Sequence, residues 1–124
     1  MKRFEKKAVL ITGASRGIGK GLAFRFAQEG AGVAVAANEN AIHQIAEEIK
    51  RSGGRAISAI CDVTNKAQVE KLFDRVVEEF GTLDVSIQNA GVITIARIED
   101  LTEQEWDKIM AVNTKGVFLC CQAA

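Results

Sequence analysis

A glycine-rich turn between a short apolar run and a helical pattern constrains the fold of this chain more than any other feature. The turn reads Thr-Gly-Ala-Ser-Arg-Gly-Ile-Gly over residues 12–19, directly after the apolar residues 8–11. Apolar residues then recur at helical spacing, at Ile18, Leu22, Ala23 and Phe26. Glycines let backbone approach a pyrophosphate, and the N–H groups at a helix N-terminus attract its charge. The turn therefore predicts a phosphate-binding strand–turn–helix unit.

Short apolar strands alternate with amphipathic helices along the rest of the chain. The pattern predicts strands at 8–12, 33–36, 56–60 and 83–87, with helices at 16–28, 41–51, 64–80 and from 102 toward the terminus. Such alternation is typical of an α/β fold, a doubly wound parallel sheet with helices on both faces. Right-handed crossovers predict the strand order 3-2-1-4. The fourth strand would then lie on an open edge of the sheet.

Two helix starts carry capping signals. Thr64 is the predicted N-cap of the third helix, and Gly81 is predicted to end it. Thr102 with Glu105 three residues later forms a capping-box pattern at the start of the last helix. The apolar side of that helix is predicted at Trp106, Ile109, Met110 and Val112.

Composition excludes several classes of function. The 124 residues carry 16 basic and 16 acidic side chains, and no basic patch favours nucleic acid or a membrane surface. No apolar run is long enough to span a bilayer or to form a signal-peptide core. Three cysteines, without metal-ligand spacing, favour a cytoplasmic protein with no metal. Cys120 and Cys121 are interpreted as small core or interface residues, and His43 as a surface histidine.

Three landmarks accompany the glycines Gly13, Gly17 and Gly19 in chain order. Asp62-Val63 follows the third predicted strand, Asn89-Ala90-Gly91 follows the fourth, and Asn113 lies in the last predicted helix. Together they resemble the short-chain dehydrogenase/reductase family, in its classical branch, over the whole chain. The resemblance implies a Rossmann-type fold, truncated here after about four strands. It also implies an oxidoreductase that transfers a hydride between a nicotinamide cofactor and a carbonyl or secondary alcohol.

The resemblance also implies a set of site residues. The cofactor-binding residues are expected to be Gly13, Ser15, Arg16, Gly17, Ile18, Gly19, Asn38, Asp62, Val63, Asn89, Ala90 and Gly91. Asp62 would accept a hydrogen bond from the adenine amino group, although a plain turn or cap role is the alternative. Asn113 is the implied catalytic-site residue, which opens a helix kink and holds a water; a surface asparagine is the alternative. Gln88 stands where the family usually has asparagine, which puts that residue's hydrogen bonds within the sheet in question.

The choice between NADP and NAD depends on the end of the second strand. Family members that use NAD carry an acidic residue there, whereas this sequence has Ala37 followed by Asn38. Arg16 is a cation of the kind that pairs with a 2′-phosphate. These residues favour NADP. Glu39 keeps NAD open, because a small shift of the strand end would bring its carboxylate to a ribose.

The residues that do the family's chemistry are not all in this sequence. The family uses a serine and a Tyr-x-x-x-Lys pair beyond the last predicted helix, and this sequence contains no tyrosine. Residues 1–124 are therefore interpreted as an NAD(P)-binding domain, incomplete at the C-terminus and inactive alone. A non-catalytic dinucleotide-binding or dimerisation module is the alternative.

A homo-oligomer, a dimer or tetramer, is expected for the full-length form. The loop at 92–98 is expected either to border a substrate pocket or to pack on its own helix.

Overall fold

The computed structural model describes residues 2–124 and shows a four-stranded parallel sheet with helices on both faces. The strands are β1 (Ala8–Thr12), β2 (Gly32–Ala37), β3 (Arg55–Ile60) and β4 (Val85–Ile87). The helices are α1 (Gly17–Gln28), α2 (Ile42–Arg51), α3 (Lys66–Phe80), α4 (Glu103–Met110) and α5 (Gly116–Ala123), with a π-helical segment at Ala111–Lys115. The sheet order β3-β2-β1-β4 confirms the predicted topology.

Both faces of the sheet are covered, which explains why its central strands are apolar throughout. Val9 and Val33 face the side of α1 and α2 and belong to one buried cluster with Ile45. Leu10 and Ala34 face the side of α3 and α5. Every residue of β1 and β2 is buried, as expected for strands inside a parallel sheet.

The start of α3 differs from the sequence-based prediction. Asn65, not Thr64, is the N-cap, and its side chain accepts a hydrogen bond from the Gln68 N–H at 3.1 Å. The Thr64 hydroxyl instead donates to Asp62 Oδ1 at 2.6 Å. Thr64 was the wrong choice because its hydroxyl has a nearer acceptor in the preceding turn. Gly81 ends the helix as predicted, with φ 78°.

The last helical region contains a π-helical segment that the periodicity did not predict. The capping box of Thr102 and Glu105 is present. No residue of α4 is buried, and Trp106 and Met110 are 54% and 40% exposed. Of the apolar side predicted for this helix, Val112 packs against the buried cluster of α3 and α5, whereas Trp106 and Met110 stay exposed. No helix within residues 2–124 has the length and apolarity needed to cross a membrane.

The N-terminal arm is held to the end of α1 by Glu29. This carboxylate is only 9% exposed and accepts hydrogen bonds from the Arg3 N–H at 3.1 Å and the Arg25 guanidinium at 2.8 Å. The hydrogen bonds from Arg3, backbone and side chain, lower the pKa of Glu29 from 4.5 to about 2. Glu29 is therefore ionised in the folded chain across the physiological range.

Candidate functional site

A cavity of about 420 Å³ lies at the carboxyl ends of the strands, and we call it the glycine-turn cavity. It contains nine of the twelve cofactor-binding residues expected from the sequence. They are Gly13, Ser15, Arg16, Asn38, Asp62, Val63, Asn89, Ala90 and Gly91. Gly17, Ile18 and Gly19 do not line it. The carboxyl edge of an open parallel sheet is the general location of ligand sites in such folds.

Gly13 and Gly19 are required by the packing of the turn itself. Gly13 has φ 64°, and a Cβ there would lie 2.8 Å from the Ala90 Cα. A Cβ on Gly19 would overlap the carbonyl oxygen of Gly13 and lie 2.6 Å from the Asn89 amide nitrogen. The helix start thus packs against the turn and against the loop after β4. Gly19 serves this packing rather than leaving space for a ligand.

Gly17 differs from the other two glycines. Its φ is 59°, and nothing lies within 4 Å of the position a Cβ would take. The backbone conformation therefore favours glycine, while the space beside it is open. A ligand could approach the turn closely at this position.

Thr12 joins the turn to the loop after β4. Its hydroxyl oxygen accepts hydrogen bonds from the N–H groups of Asn89 and Ala90, each at 3.1 Å, and its side chain is buried. The Asn89 side-chain amide donates to the Gly13 carbonyl at 3.1 Å. No sequence motif had marked Thr12 for this function. A hydroxyl at a strand end, directly before a glycine turn, was the available signal.

The N-terminus of α1 has no side-chain cap. Its N-cap, Arg16, makes no capping hydrogen bond, and the first turn contains no acidic residue. Asn65 and Thr102 cap α3 and α4, whereas α2 also has no side-chain cap. The first N–H groups of α1 therefore remain available beside the glycine turn, where they favour an anion.

The end of β2 brings one carboxylate into the cavity. Glu39 lines it and accepts a hydrogen bond from the Ser15 hydroxyl. Arg16 is exposed, and none of the ion pairs within residues 2–124 involves it. The cavity thus contains a cation that forms no ion pair within residues 2–124, Arg16 of the glycine turn, and a hydrogen-bonded carboxylate, Glu39 from the end of β2.

Asp62 and its neighbours Cys61 and Val63 form another part of the cavity wall. Asp62 Oδ1 accepts hydrogen bonds from the N–H and hydroxyl of Thr64, at 2.9 and 2.6 Å, which stabilise the turn after β3. Val63 packs on α5, where a Cβ on Gly116 would lie 2.8 Å from its Cγ2. Burial raises the pKa of the Cys61 thiol to about 11, with smaller contributions from Cys120 and Asp62. Cys61 is therefore a neutral thiol in this wall.

Asn113 lies in the π-helical segment and does not line the glycine-turn cavity. Its Oδ1 accepts from the Val92 N–H at 2.8 Å, and its Nδ2 donates to the Val92 carbonyl at 2.7 Å. The side chain thus pairs with one backbone residue as a neighbouring strand would. Asn113 positions the loop that carries Gly91 and Val92, both of which line the cavity.

Several further residues around the site were not expected or differ from expectation. Lys108 and Val112 line the cavity, although neither was expected at the site, and Val92 from the loop at 92–98 lines it as well. Gln88 accepts from the Ser86 hydroxyl at 2.9 Å and contacts the Cys121 sulfur at 3.7 Å. Cys120 is buried and Cys121 is exposed. The loop isoleucines do not pack on a helix, since Ile93, Ile95 and Ile98 are 83%, 92% and 85% exposed.

The sheet order, the glycine turn at the start of α1 and the cavity at the carboxyl edge define a Rossmann-type dinucleotide-binding fold. The family model described as short chain dehydrogenase matches residues 7–124. The chain therefore belongs to the short-chain dehydrogenase family of oxidoreductases.

Named relatives and solved structures agree with this assignment. Elsinochrome reductase 1 of Elsinoe fawcettii is 39% identical, over 98% of this chain and 46% of that protein. A short-chain type dehydrogenase/reductase from Mycobacterium marinum is 42% identical, with a TM-score of 0.93 over 98% of this chain and 49% of that one. A short chain dehydrogenase from Burkholderia cenocepacia, solved in complex with NADP, is 36% identical, with a TM-score of 0.93 over 98% and 51%. The chain spans about half the length of the relatives it matches.

Proposed function

We propose that this chain is the nicotinamide-dinucleotide-binding part of an oxidoreductase acting on a carbonyl or secondary alcohol. The observation that carries the proposal is the glycine-turn cavity, where an uncapped α1 N-terminus meets the loop after β4. The residues fit a dinucleotide, because the turn offers free N–H groups and leaves open space beside Gly17. When bound, such a cofactor supplies the hydride chemistry.

We assign the residues of the cavity by what each can contact. Ser15, Arg16 and the N–H groups at Gly17 to Gly19 would hold the pyrophosphate and ribose. Asp62 would accept from the adenine amino group, and Val63 would pack near the ring. Asn89, Ala90 and Gly91 would border the adenosine ribose, with Asn113 holding their loop in place. These roles are those that the family resemblance implies, and the positions of nine residues around one cavity support them.

We propose NADP as the preferred cofactor. Arg16 is an exposed guanidinium in no ion pair, and the strand end at Ala37 carries no carboxylate. The structural neighbour solved with NADP also supports this preference. One observation favours NAD instead: the Glu39 carboxylate lines the same cavity. A carboxylate near a 2′-phosphate is repulsive and would reduce NADP affinity.

Nucleotide binding is tested by calorimetry with NADP on the 124-residue chain and two variants. Gly17→Ala places a Cβ in a left-handed backbone position beside the open space, and we expect it to abolish measurable binding. Gly21→Ala is the matched control, because Gly21 lies in α1, has ordinary helical backbone and nothing within 4 Å of its Cβ position. Undiminished binding by Gly17→Ala would contradict the site.

The cofactor preference is tested with Arg16→Ala. We expect this variant to weaken NADP at least about tenfold more than NAD, since a charge-assisted bond to phosphate is lost. Lys20→Ala removes an equal charge one turn later in α1 and should affect both cofactors alike. The Glu39→Gln variant tests the alternative, a preference for NAD. A loss of NAD affinity together with a gain of NADP affinity would show that the Glu39 carboxylate repels the 2′-phosphate. Equal losses in Arg16→Ala would overturn the NADP preference.

We propose that residues 1–124 are part of an NAD(P)-binding domain and bind cofactor without turning over substrate. A general acid or base with a suitable pKa must supply the proton for carbonyl reduction. The family's tyrosine has no counterpart here, because this sequence contains none. Measurable NADPH oxidation by the purified chain with a panel of ketones would contradict this proposal. A binding or dimerisation module remains the second candidate, favoured by the exposed Met110 and Phe118.

We also propose that the chain self-associates and that it resides in the cytoplasm. Phe118 is 58% exposed on α5, and Met110 lies on the same helical face about two turns earlier. Light scattering should therefore report a dimer or larger species, and a monomer at high concentration would contradict self-association. Three free thiols are consistent with a reducing compartment, which cell fractionation would check.

A further inference from the structure

A second cavity, of about 340 Å³, lies at the free edge of β3, and we call it the edge cavity. It shares no lining residue with the glycine-turn cavity. Five polar side chains surround it, from His43, Ser58, Gln68, Lys71 and Arg75. Ala59, Ile60 and Leu72 supply its apolar lining. None of the roles assigned to the nucleotide site uses any of these residues.

Helix geometry and sheet geometry bring these side chains together. Gln68, Lys71 and Arg75 lie on one face of α3, because residues three and four apart are neighbours on a helix. His43 comes from α2, on the opposite side of the sheet. Both sets meet at Ser58. The His43 Nδ1 lies 2.7 Å from the Ser58 hydroxyl, and Arg75 Nη1 donates to the Ser58 carbonyl at 2.5 Å.

The edge cavity is lined by hydrogen-bond donors and by no carboxylate. Gln68 Oε1 already accepts from the Asp62 N–H at 2.8 Å, so its NH₂ group is the part left for a ligand. Within residues 2–124, Lys71 and Arg75 belong to none of the ion pairs. Two unneutralised cations, a hydroxyl and an amide N–H therefore face one volume. Such a set is complementary to an anion.

The lining also contains apolar surface of a kind that a bare anion does not need. Ile60 is 47% exposed, although it is a large aliphatic residue at the end of a strand. Leu72 is buried on the α3 side and Ala59 is partly buried. A ligand with an anionic group and a small apolar substituent would cover Ile60 while its charge met Lys71 and Arg75.

We propose that the edge cavity binds a phosphomonoester that carries a small apolar or aromatic substituent. The phosphate accepts hydrogen bonds from Lys71 and Arg75. It also accepts one from the Ser58 hydroxyl when the His43 Nδ1–H donates to the Ser58 oxygen. The substituent packs on Ile60 and Leu72. The same polar side chains also cover the free edge of β3, which hinders its pairing with another chain. The competing explanation, edge protection, is that they serve only this purpose, and the experiment must distinguish it from ligand binding.

The experiment follows the Cε1–H resonance of His43 by nuclear magnetic resonance while phenyl phosphate is added to the 124-residue chain at fixed pH. His43 is the one histidine of the sequence, so the signal needs no assignment. We expect a saturable shift, a weaker response to inorganic phosphate and none to phenol. An unchanged signal at saturating phenyl phosphate would overturn the proposal and leave edge protection as the function of the cluster. Binding at the glycine turn alone would leave His43 unmoved.

Two lysine variants provide the matched comparison. Lys71→Ala removes a cation of the cavity that forms no ion pair within residues 2–124, so the fold is not expected to change. We expect it to weaken phenyl phosphate about fivefold, the scale of an exposed charge pair. Lys66→Ala removes an equal charge from the first turn of α3, outside the cavity, and should leave the affinity unchanged. Equal effects of the two variants would indicate general charge attraction and overturn the proposed site.

Discussion

Replacing Asn113 by alanine tests whether the π-helical segment holds the loop that borders the nucleotide site. The side chain makes two hydrogen bonds to Val92, at 2.8 and 2.7 Å, and alanine can make neither. Each such bond contributes about 1 kcal/mol to stability, so about 2 kcal/mol is lost. Alanine is a better helix former than asparagine by about 0.5 kcal/mol. The expected net destabilisation is therefore about 1.5 kcal/mol.

Two measurements follow from that figure. The free energy of unfolding in urea should fall by about 1.5 kcal/mol, and the midpoint of thermal unfolding by about 5 °C for a domain of this size. Amide exchange at the Val92 N–H should become about tenfold faster, because the loop opens more readily. Nucleotide affinity should fall as well, since Val92 and Gly91 line the glycine-turn cavity.

Thr114→Ala is the control for Asn113→Ala. Thr114 is the next residue of the π-helical segment, it is exposed, and none of the side-chain hydrogen bonds within residues 2–124 involves it. Its replacement should leave the Val92 exchange rate unchanged. If Asn113→Ala also left both the unfolding free energy and the exchange rate of Val92 unchanged, the loop would not depend on this side chain, and the reasoning would be refuted.

Three further predictions concern the core and the termini. Thr12→Val should destabilise the fold by about 2 kcal/mol in urea unfolding, because the Ala90 N–H loses its acceptor; an unchanged midpoint would contradict this. The folded pKa of Glu29 is depressed to about 2, so its stabilising effect is complete above pH 4.5 and is lost as pH falls toward 2. In the Glu29→Gln variant, the midpoint of unfolding should therefore change less with pH over that range than in the unsubstituted chain. An equal pH dependence of the two midpoints would contradict this effect of Glu29. One thiol, Cys121, should react with a disulfide reagent in the folded chain, whereas Cys61 and Cys120 should react only after unfolding.

The sequence predicted most of the fold because its signals are local. A strand, a glycine turn and an apolar helix face are each readable within about 15 residues, as at residues 8–28. The four strands and their order followed from alternation and the handedness of crossovers. The strand and helix bounds differ from those predicted by at most about two residues, which is the usual spread at fraying ends.

The features that sequence patterns did not predict depend on contacts between distant segments. Threonine and asparagine are both common N-cap residues. Asn65 is the N-cap of α3 because the Thr64 hydroxyl is hydrogen-bonded to Asp62 instead. The π-helical segment around Asn113 accompanies pairing with Val92, 21 residues earlier in the chain. The spacing of apolar residues along the sequence carries no information on a contact between such distant residues. Lys108 reaches the glycine-turn cavity for the same reason, through the placement of a whole helix.

The hydrogen bonds of Thr12 have a mechanical consequence for the cleft. β4 pairs with β1 only from Val9 to Ile11, so the backbone ladder ends before the chain reaches the cavity. Beyond that point one side-chain oxygen continues the connection to Asn89 and Ala90. The two loops that flank the cavity are therefore joined at their base by side chains, the Thr12 hydroxyl and the Asn89 amide that donates to the Gly13 carbonyl. Loss of either side chain would weaken the connection between the loops without breaking the backbone ladder of β1 and β4.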